Sequence, residues 1–134
     1  MHRVFVARSI GPATAAAGLL CAPLELALVE VYNALLRESG VDAVCVPLPV
    51  ADTADLAETL CALAPLGLRA FAVTPGALAA AGSLPAVAPD RRSAAAGVCD
   101  VLVVHEGCIL GSYGGSPAEQ VARLRAALVP GTAP

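Results

Sequence analysis

The strongest constraint on this sequence is an alternation. Short apolar runs, too short for helices, are separated by segments whose apolar residues recur at helical spacing. Residues 3–8 (Arg-Val-Phe-Val-Ala-Arg), 41–48 (Val-Asp-Ala-Val-Cys-Val-Pro-Leu) and 69–74 (Arg-Ala-Phe-Ala-Val-Thr) read as strands. The Gly/Pro/Ala-rich stretch that follows the first, up to about Cys21, reads as a loop. Leu24, Leu28, Val31 and Leu35 mark a helix from Pro23 to Ser39, with proline in the first turn and Gly40 past the end. Leu56, Leu60 and Leu63 mark a second helix over 52–64, with Asp52 or Thr53 as its cap. Two short helical pieces follow, near 77–82 and 90–96. Residues 99–104 and 108–113 form a hairpin turning at His105-Glu106-Gly107. Ser116-Pro117-Ala118-Glu119 is a capping box that opens a last helix to about Val129. Strands alternating with helices imply an α/β fold. The expected sheet is mostly parallel, made mixed by the hairpin, with helices on both faces; the second strand is expected to be buried on both sides.

With 134 residues, the chain suits a single domain spanning 1–134. Its core must be aliphatic, because there is no Trp and only two Phe and two Tyr. Net charge is −3, and the eight basic residues, all arginine, form no stripe, which argues against nucleic acid. No apolar run is long enough for a membrane span. Residues 10–21 superficially resemble an export signal ending at Cys21. Leu20 before the cysteine, Arg8 just ahead of the stretch and Pro12 within it argue against it, so a cytoplasmic protein is expected. The five cysteines, Cys21, Cys45, Cys61, Cys99 and Cys108, are odd in number and have no metal-ligand spacing. Reduced thiols and no metal site are expected.

Four strings, in order, resemble the N-terminal substrate-binding domain of the shikimate dehydrogenase family. They are Tyr32-Asn33 through Gly40-Val41-Asp42 to Pro47, then Leu66-Gly67 through Val73-Thr74, then Ala95-Ala96-Gly97-Val98-Cys99-Asp100, and Glu106-Gly107-Cys108-Ile109-Leu110-Gly111. The resemblance covers about residues 30–116. It implies the same fold, with looser agreement over 1–29 and an apparent insertion before Tyr32. It also implies departures. The family's catalytic lysine falls at Leu78, its partner aspartate near Gly115, and its asparagines at Ala72 and Cys99. The following threonine falls at Asp100, and the Ser-x-Ser pair that holds the substrate carboxylate falls at Leu26 and Leu28. No Gly-x-Gly-x-x-Gly follows a strand, so no cofactor and no NADP-binding domain are expected.

In open α/β sheets ligands bind beyond the carboxyl ends of the strands. That rule and the resemblance together give the candidates. Arg8, Ser9, Asn33, Thr74 and Cys99 are candidate substrate-binding residues, and Asp100, Tyr32 and Tyr113 are candidates for proton transfer. Each has a structural alternative: Asp100 as the cap of a turn, Cys99 as a packed thiol, the tyrosines as boundary residues. The expected function is binding of a small, fairly apolar oxygenated metabolite without redox chemistry. The alternatives are a non-redox isomerase, cyclase or lyase of specialised metabolism, and an interaction module that forms a homo-oligomer or docks on a partner enzyme.

Overall fold

The computed structural model describes residues 14–50, 55–81 and 87–129. The strand expected at 3–8, the candidates Arg8 and Ser9, and the caps Asp52 and Thr53 lie outside the described residues. The strands are β1 (Ala15–Cys21), β2 (Ala43–Pro49), β3 (Leu68–Val73), β4 (Val87–Pro89), β5 (Val101–His105) and β6 (Cys108–Ser112). The helices are α1 (Leu28–Glu38), α2 (Leu56–Leu63), α3 (Leu78–Ala81), α4 (Arg91–Ala96) and α5 (Pro117–Leu128). The strands form one sheet in the order β2-β1-β3-β5-β6-β4. Pairing is parallel for β1–β2, β1–β3 and β4–β6, and antiparallel where β5 meets β3 and β6. Among the described strands only β5 therefore runs against the rest, and the expected mostly parallel, mixed sheet is what forms.

The largest correction is β1. The stretch that reads as a loop supplies a strand paired on both sides, deep in the sheet. Its sequence, Ala-Ala-Ala-Gly-Leu-Leu-Cys, has weak strand preference, but burial outweighs propensity. Ala17, Leu19 and Cys21 are fully buried on one face. Gly18 is required here: a Cβ at this position would lie 2.4 Å from Cδ1 of Phe71, whose ring lies across the glycine. With β1 at 15–21, the chain passes through a 3-10 turn, Pro23–Glu25, and two further residues into α1. The single expected helix 23–39 is thus two pieces, and Leu24 falls in the turn, 99% exposed.

A second correction concerns β2, which is an edge strand whose outer half is exposed, not a strand buried on both faces. Its prolines fit that place. Cys45 turns its N–H away from β1, toward the side chain of Asn33, and Pro47 and Pro49 share that outward phase. They remove no bond from the ladder and leave no donors on the edge. At the other edge β4 is short and ends in Pro89, and sequence periodicity gives no sign of it.

Helices cover both faces, as expected. On one, α1 and α5 pack Tyr32, Leu36, Val121 and Leu124 against Ala17, Leu19, Ala43, Ala70 and Val101. On the other, Leu56 and Leu60 of α2, with Ala77 and Ala81, pack against Leu20, Phe71, Val73, Leu102 and Ile109. Each fully buried leucine contributes roughly 1.5–3 kcal/mol of burial. The β5–β6 hairpin turns through Glu106 and Gly107, both at positive φ (49° and 78°), the backbone a tight two-residue turn requires. Ser116 caps α5 by accepting the Glu119 N–H at 3.3 Å, with Pro117 next, as the sequence implies.

Candidate functional site

Because five strands run the same way, their carboxyl ends converge on one end of the sheet, and the start of β5 joins them. Backbone bonds tie these ends together: Val50 donates to Cys21, Thr74 to Leu20, Val73 to Asp100, and Asp100 to Ser112. Thr74, Asp100, Tyr32 and Cys99 all come to this region, but most are already engaged in structural bonds.

Asp100 is 5% exposed. One carboxylate oxygen accepts the Gly114 N–H at 2.6 Å and the other the Gly115 N–H at 2.8 Å. This is the turn-capping role, and it joins the end of β6 to α5. Tyr32 is fully buried and donates to Oε1 of Gln120 at 2.6 Å. Gln120 Nε2 in turn donates to the carbonyls of Val73, at 2.8 Å, and Asp100, at 2.9 Å. The amide thus bridges α1, α5, β3 and β5 from inside the core. Burial first, and then the negative charge of Asp100, push the Tyr32 hydroxyl up to about 12, so it stays protonated. Asn33 lies away from the strand ends. Its side chain exchanges hydrogen bonds with the backbone of Cys45 and clips α1 to the β2 edge. Cys99 is buried against Gly111, where a Cβ would lie 2.3 Å from the thiol sulfur. Tyr113 is half-buried, with the Arg92 guanidinium 5.9 Å from its ring centre.

Thr74 is fully buried and has an informative partner, Glu25, which the sequence reading passed over. The Thr74 hydroxyl donates to Oε1 of Glu25. The same oxygen accepts the Ala22 N–H at 3.0 Å, and Oε2 accepts the Gly76 N–H at 2.8 Å. Pro23 makes this possible by starting the turn that folds Glu25 back over Ala22. Burial works to raise the Glu25 carboxyl, but the bonds from Thr74, Ala22 and Gly76 outweigh it and hold the group below its ordinary range. The residue itself is only half-buried, so the carboxylate sits at the surface of the site. The sequence does carry a signal for it: Glu25 is the single charged residue between Arg8 and Glu30. Gln120 has no comparable signal, being one polar residue among many on α5. The expected apolar substitutions also lie here, with Leu26 46% exposed beside fully exposed Leu24.

At the opposite end of the sheet, a hollow of about 310 Å³ is lined by Ala15, Arg69, Val103, His105 and Leu128, among others. None of the expected site residues lines it. Among the described residues no group of three His, Cys, Asp or Glu side chains could hold a metal ion. No helix among them is long and apolar enough to cross a membrane.

No family model and no curated protein matches the sequence. Solved structures do. Shikimate 5-dehydrogenase from Listeria monocytogenes, solved with shikimate and NAD, superposes with a TM-score of 0.59 at 16% identity, over 92% of this chain and 51% of that one. The Aquifex aeolicus shikimate dehydrogenase gives 0.59 at 20% identity, over 77% of this chain and 38% of that one. A 5-ketofructose reductase from Gluconobacter gives 0.57 at 18%, over 78% and 37%. The chain thus spans about half the length of these proteins or less. In the glycine-rich turn Gly111–Gly115 the N–H groups of Gly114 and Gly115 are taken by Asp100, so they are not offered to a phosphate. At these identities the likeness establishes the architecture, and the described chain has a shikimate-dehydrogenase-like α/β fold.

Proposed function

We propose that this chain binds a small, fairly apolar oxygenated metabolite at the carboxyl end of the sheet, without hydride transfer. The observation that carries the reading is the Glu25–Thr74 pair. It marks three fixed donors at the strand ends, the Ala22 and Gly76 N–H groups and the Thr74 hydroxyl, on and facing the short turn that also carries the exposed Leu24 and Leu26. A few convergent polar donors with apolar side chains on the same turn suit a small oxygenated ligand. The absence of redox chemistry is supported by Leu78, where the resemblance places a lysine: an aliphatic side chain packed against the second core cluster. Binding is favoured over proton transfer because Asp100 and Tyr32 are held in the core by the bonds described above. The test is a thermal-shift and amide NMR titration with shikimate, dehydroshikimate and more apolar monocarboxylic acids. Saturable shifts clustered at residues 22–26 and 74–76 are expected. Shifts absent from that end for every compound would reject the reading.

A second reading, an interaction module, is favoured by the full exposure of Leu24. A homo-oligomer seen by light scattering that dissociates on Leu24→Ser would support it.

A further inference from the structure

We propose that Glu25 is a resident ligand of its own site: its carboxylate fills a cradle shaped for a carboxylate anion, and the ligand admitted there is a carboxylic acid that displaces it. The inference deepens the binding function proposed above and rests on it for the identity of the natural ligand, though not for the cradle itself.

Three donors define the cradle, and they come from two segments about fifty positions apart in the chain. They are the Ala22 N–H after β1, the Thr74 hydroxyl after β3, and the Gly76 N–H in the next turn. All three point at one carboxylate, and the hydroxyl belongs to a side chain with no exposure to solvent. Room has been kept for that carboxylate as well. A Cβ on Gly76 would lie 2.5 Å from Oε1, 2.6 Å from Cδ and 2.7 Å from Oε2 of Glu25, so any side chain at 76 would occupy the anion's place. Gly76 is not in a positive-φ conformation, so its backbone does not itself call for glycine, and a side chain there would have to push the Glu25 carboxylate aside. Glu25 itself is half-buried and joined to the surface by the short turn Pro23–Glu25, so it can swing out without unpacking the core.

Selectivity follows from this arrangement. A tethered group competes at an effective concentration of the order of millimolar or above. A bare anion such as formate offers only the same three bonds and does not displace it. An acid whose apolar part also covers Leu24 and Leu26 gains additional contact area and does. The site therefore stays closed to small anions and opens to acids with an apolar body.

The experiment uses formate as the probe and follows the amide signals of Ala22 and Gly76. In Glu25→Ala both signals should move, and formate, compared with chloride at equal ionic strength, should return them toward their wild-type positions and raise Tm by a few degrees. The wild-type protein should show neither response. Adding Gly76→Ala to Glu25→Ala should abolish the formate response. If Glu25→Ala does not fold, Glu25→Gln keeps the side chain's volume and should still admit formate more readily than wild type. An equal formate response in wild type and variant, or an undiminished one with Gly76→Ala present, overturns the proposal. A metabolite screen without hits, together with a formate response in Glu25→Ala, would defeat the binding function but leave the cradle standing.

Discussion

Asp100 and Glu25 sit at the same end of the sheet and each accepts backbone N–H groups, but Asp100 is 5% exposed while Glu25 is half-exposed. Asp100 takes its donors from two consecutive residues of one turn, Gly114 and Gly115. Its bonds go to a single turn, and they fix the path from β6 into α5. Glu25 gathers donors from two segments about fifty positions apart in sequence, and would release all of them by a rotation of one side chain. The difference separates a carboxylate that builds the end of the sheet from one that occupies it. A carboxylate that is itself buried cannot leave without unfolding part of the core, whereas a half-exposed one on a short turn can.

The largest effect expected from breaking this contrast is at Asp100. Asp100→Ala leaves two backbone donors without their acceptor, and should lower stability by about 2–4 kcal/mol in urea denaturation. A loss below about 0.5 kcal/mol would mean that water replaces the carboxylate, and the buried member of the pair would then be no different from the exposed one. Next comes the amide that carries Asp100's neighbourhood into the core. Gln120→Ala leaves the Tyr32 hydroxyl and the carbonyls of Val73 and Asp100 short of partners, and should cost about 2–3 kcal/mol. In a double-mutant cycle with Tyr32→Phe, the coupling should be about 1 kcal/mol. Additive losses would show that the buried hydroxyl and amide do not act together.

Alkali sharpens the same distinction. The folded Tyr32 hydroxyl is raised to about 12, chiefly by burial, from its ordinary 10. Between those values the unfolded chain gives up the proton and the folded one keeps it, so stability is complete below pH 10 and falls as pH rises toward 12. The slope attributable to Tyr32 is at most about 1.4 kcal/mol per pH unit. Cys45, also raised to about 12 by burial, adds to the slope in both proteins, so the difference between wild type and Tyr32→Phe isolates the hydroxyl. Identical alkaline slopes would place that hydroxyl in contact with water.

How much of this was legible in the sequence depended on which force acted. Where periodicity and local turn chemistry govern, the reading survives. The helices α2 to α5, the end of α1, β3, the hairpin with Gly107 at its turn and the Ser116 cap all fall close to their expected places. Where tertiary packing governs, it fails. β1 is made of small residues that no propensity marks as a strand, and Gly18 is there because of Phe71, 53 positions away in sequence. β2 reads as doubly buried because Val44, Val46 and Leu48 are apolar, while the outward phase of Pro47 and Pro49 shows an edge. At the site, Thr74 and Asp100 were legible as residues at strand ends, but the sequence does not show where their polar atoms go. For Asp100 the partner is the turn of Gly114 and Gly115; for Thr74 it is Glu25, whose isolation among apolar residues was the available clue.

Acid gives the smallest effect, and it bears on Glu25 alone. Its ordinary value is 4.5, and the folded carboxyl lies below it. Above pH 4.5 the group is ionised in both folded and unfolded chains, and its three hydrogen bonds contribute in full. As pH falls through the lowered folded value the carboxyl takes up a proton and that contribution is lost. Glu25→Gln cannot take part in this titration. The wild-type advantage over Glu25→Gln, expected to be about 1 kcal/mol or less at neutral pH for so exposed a group, should shrink toward zero as pH drops below 4.5. Asp90, also held low, titrates in both proteins and cancels from the difference. An advantage that persists unchanged in acid would mean that the cradle recognises the shape of the side chain and not its charge. It would then accept a neutral amide or acid as readily as an anion, and the distinction between the carboxylate that builds and the one that occupies would rest on exposure alone.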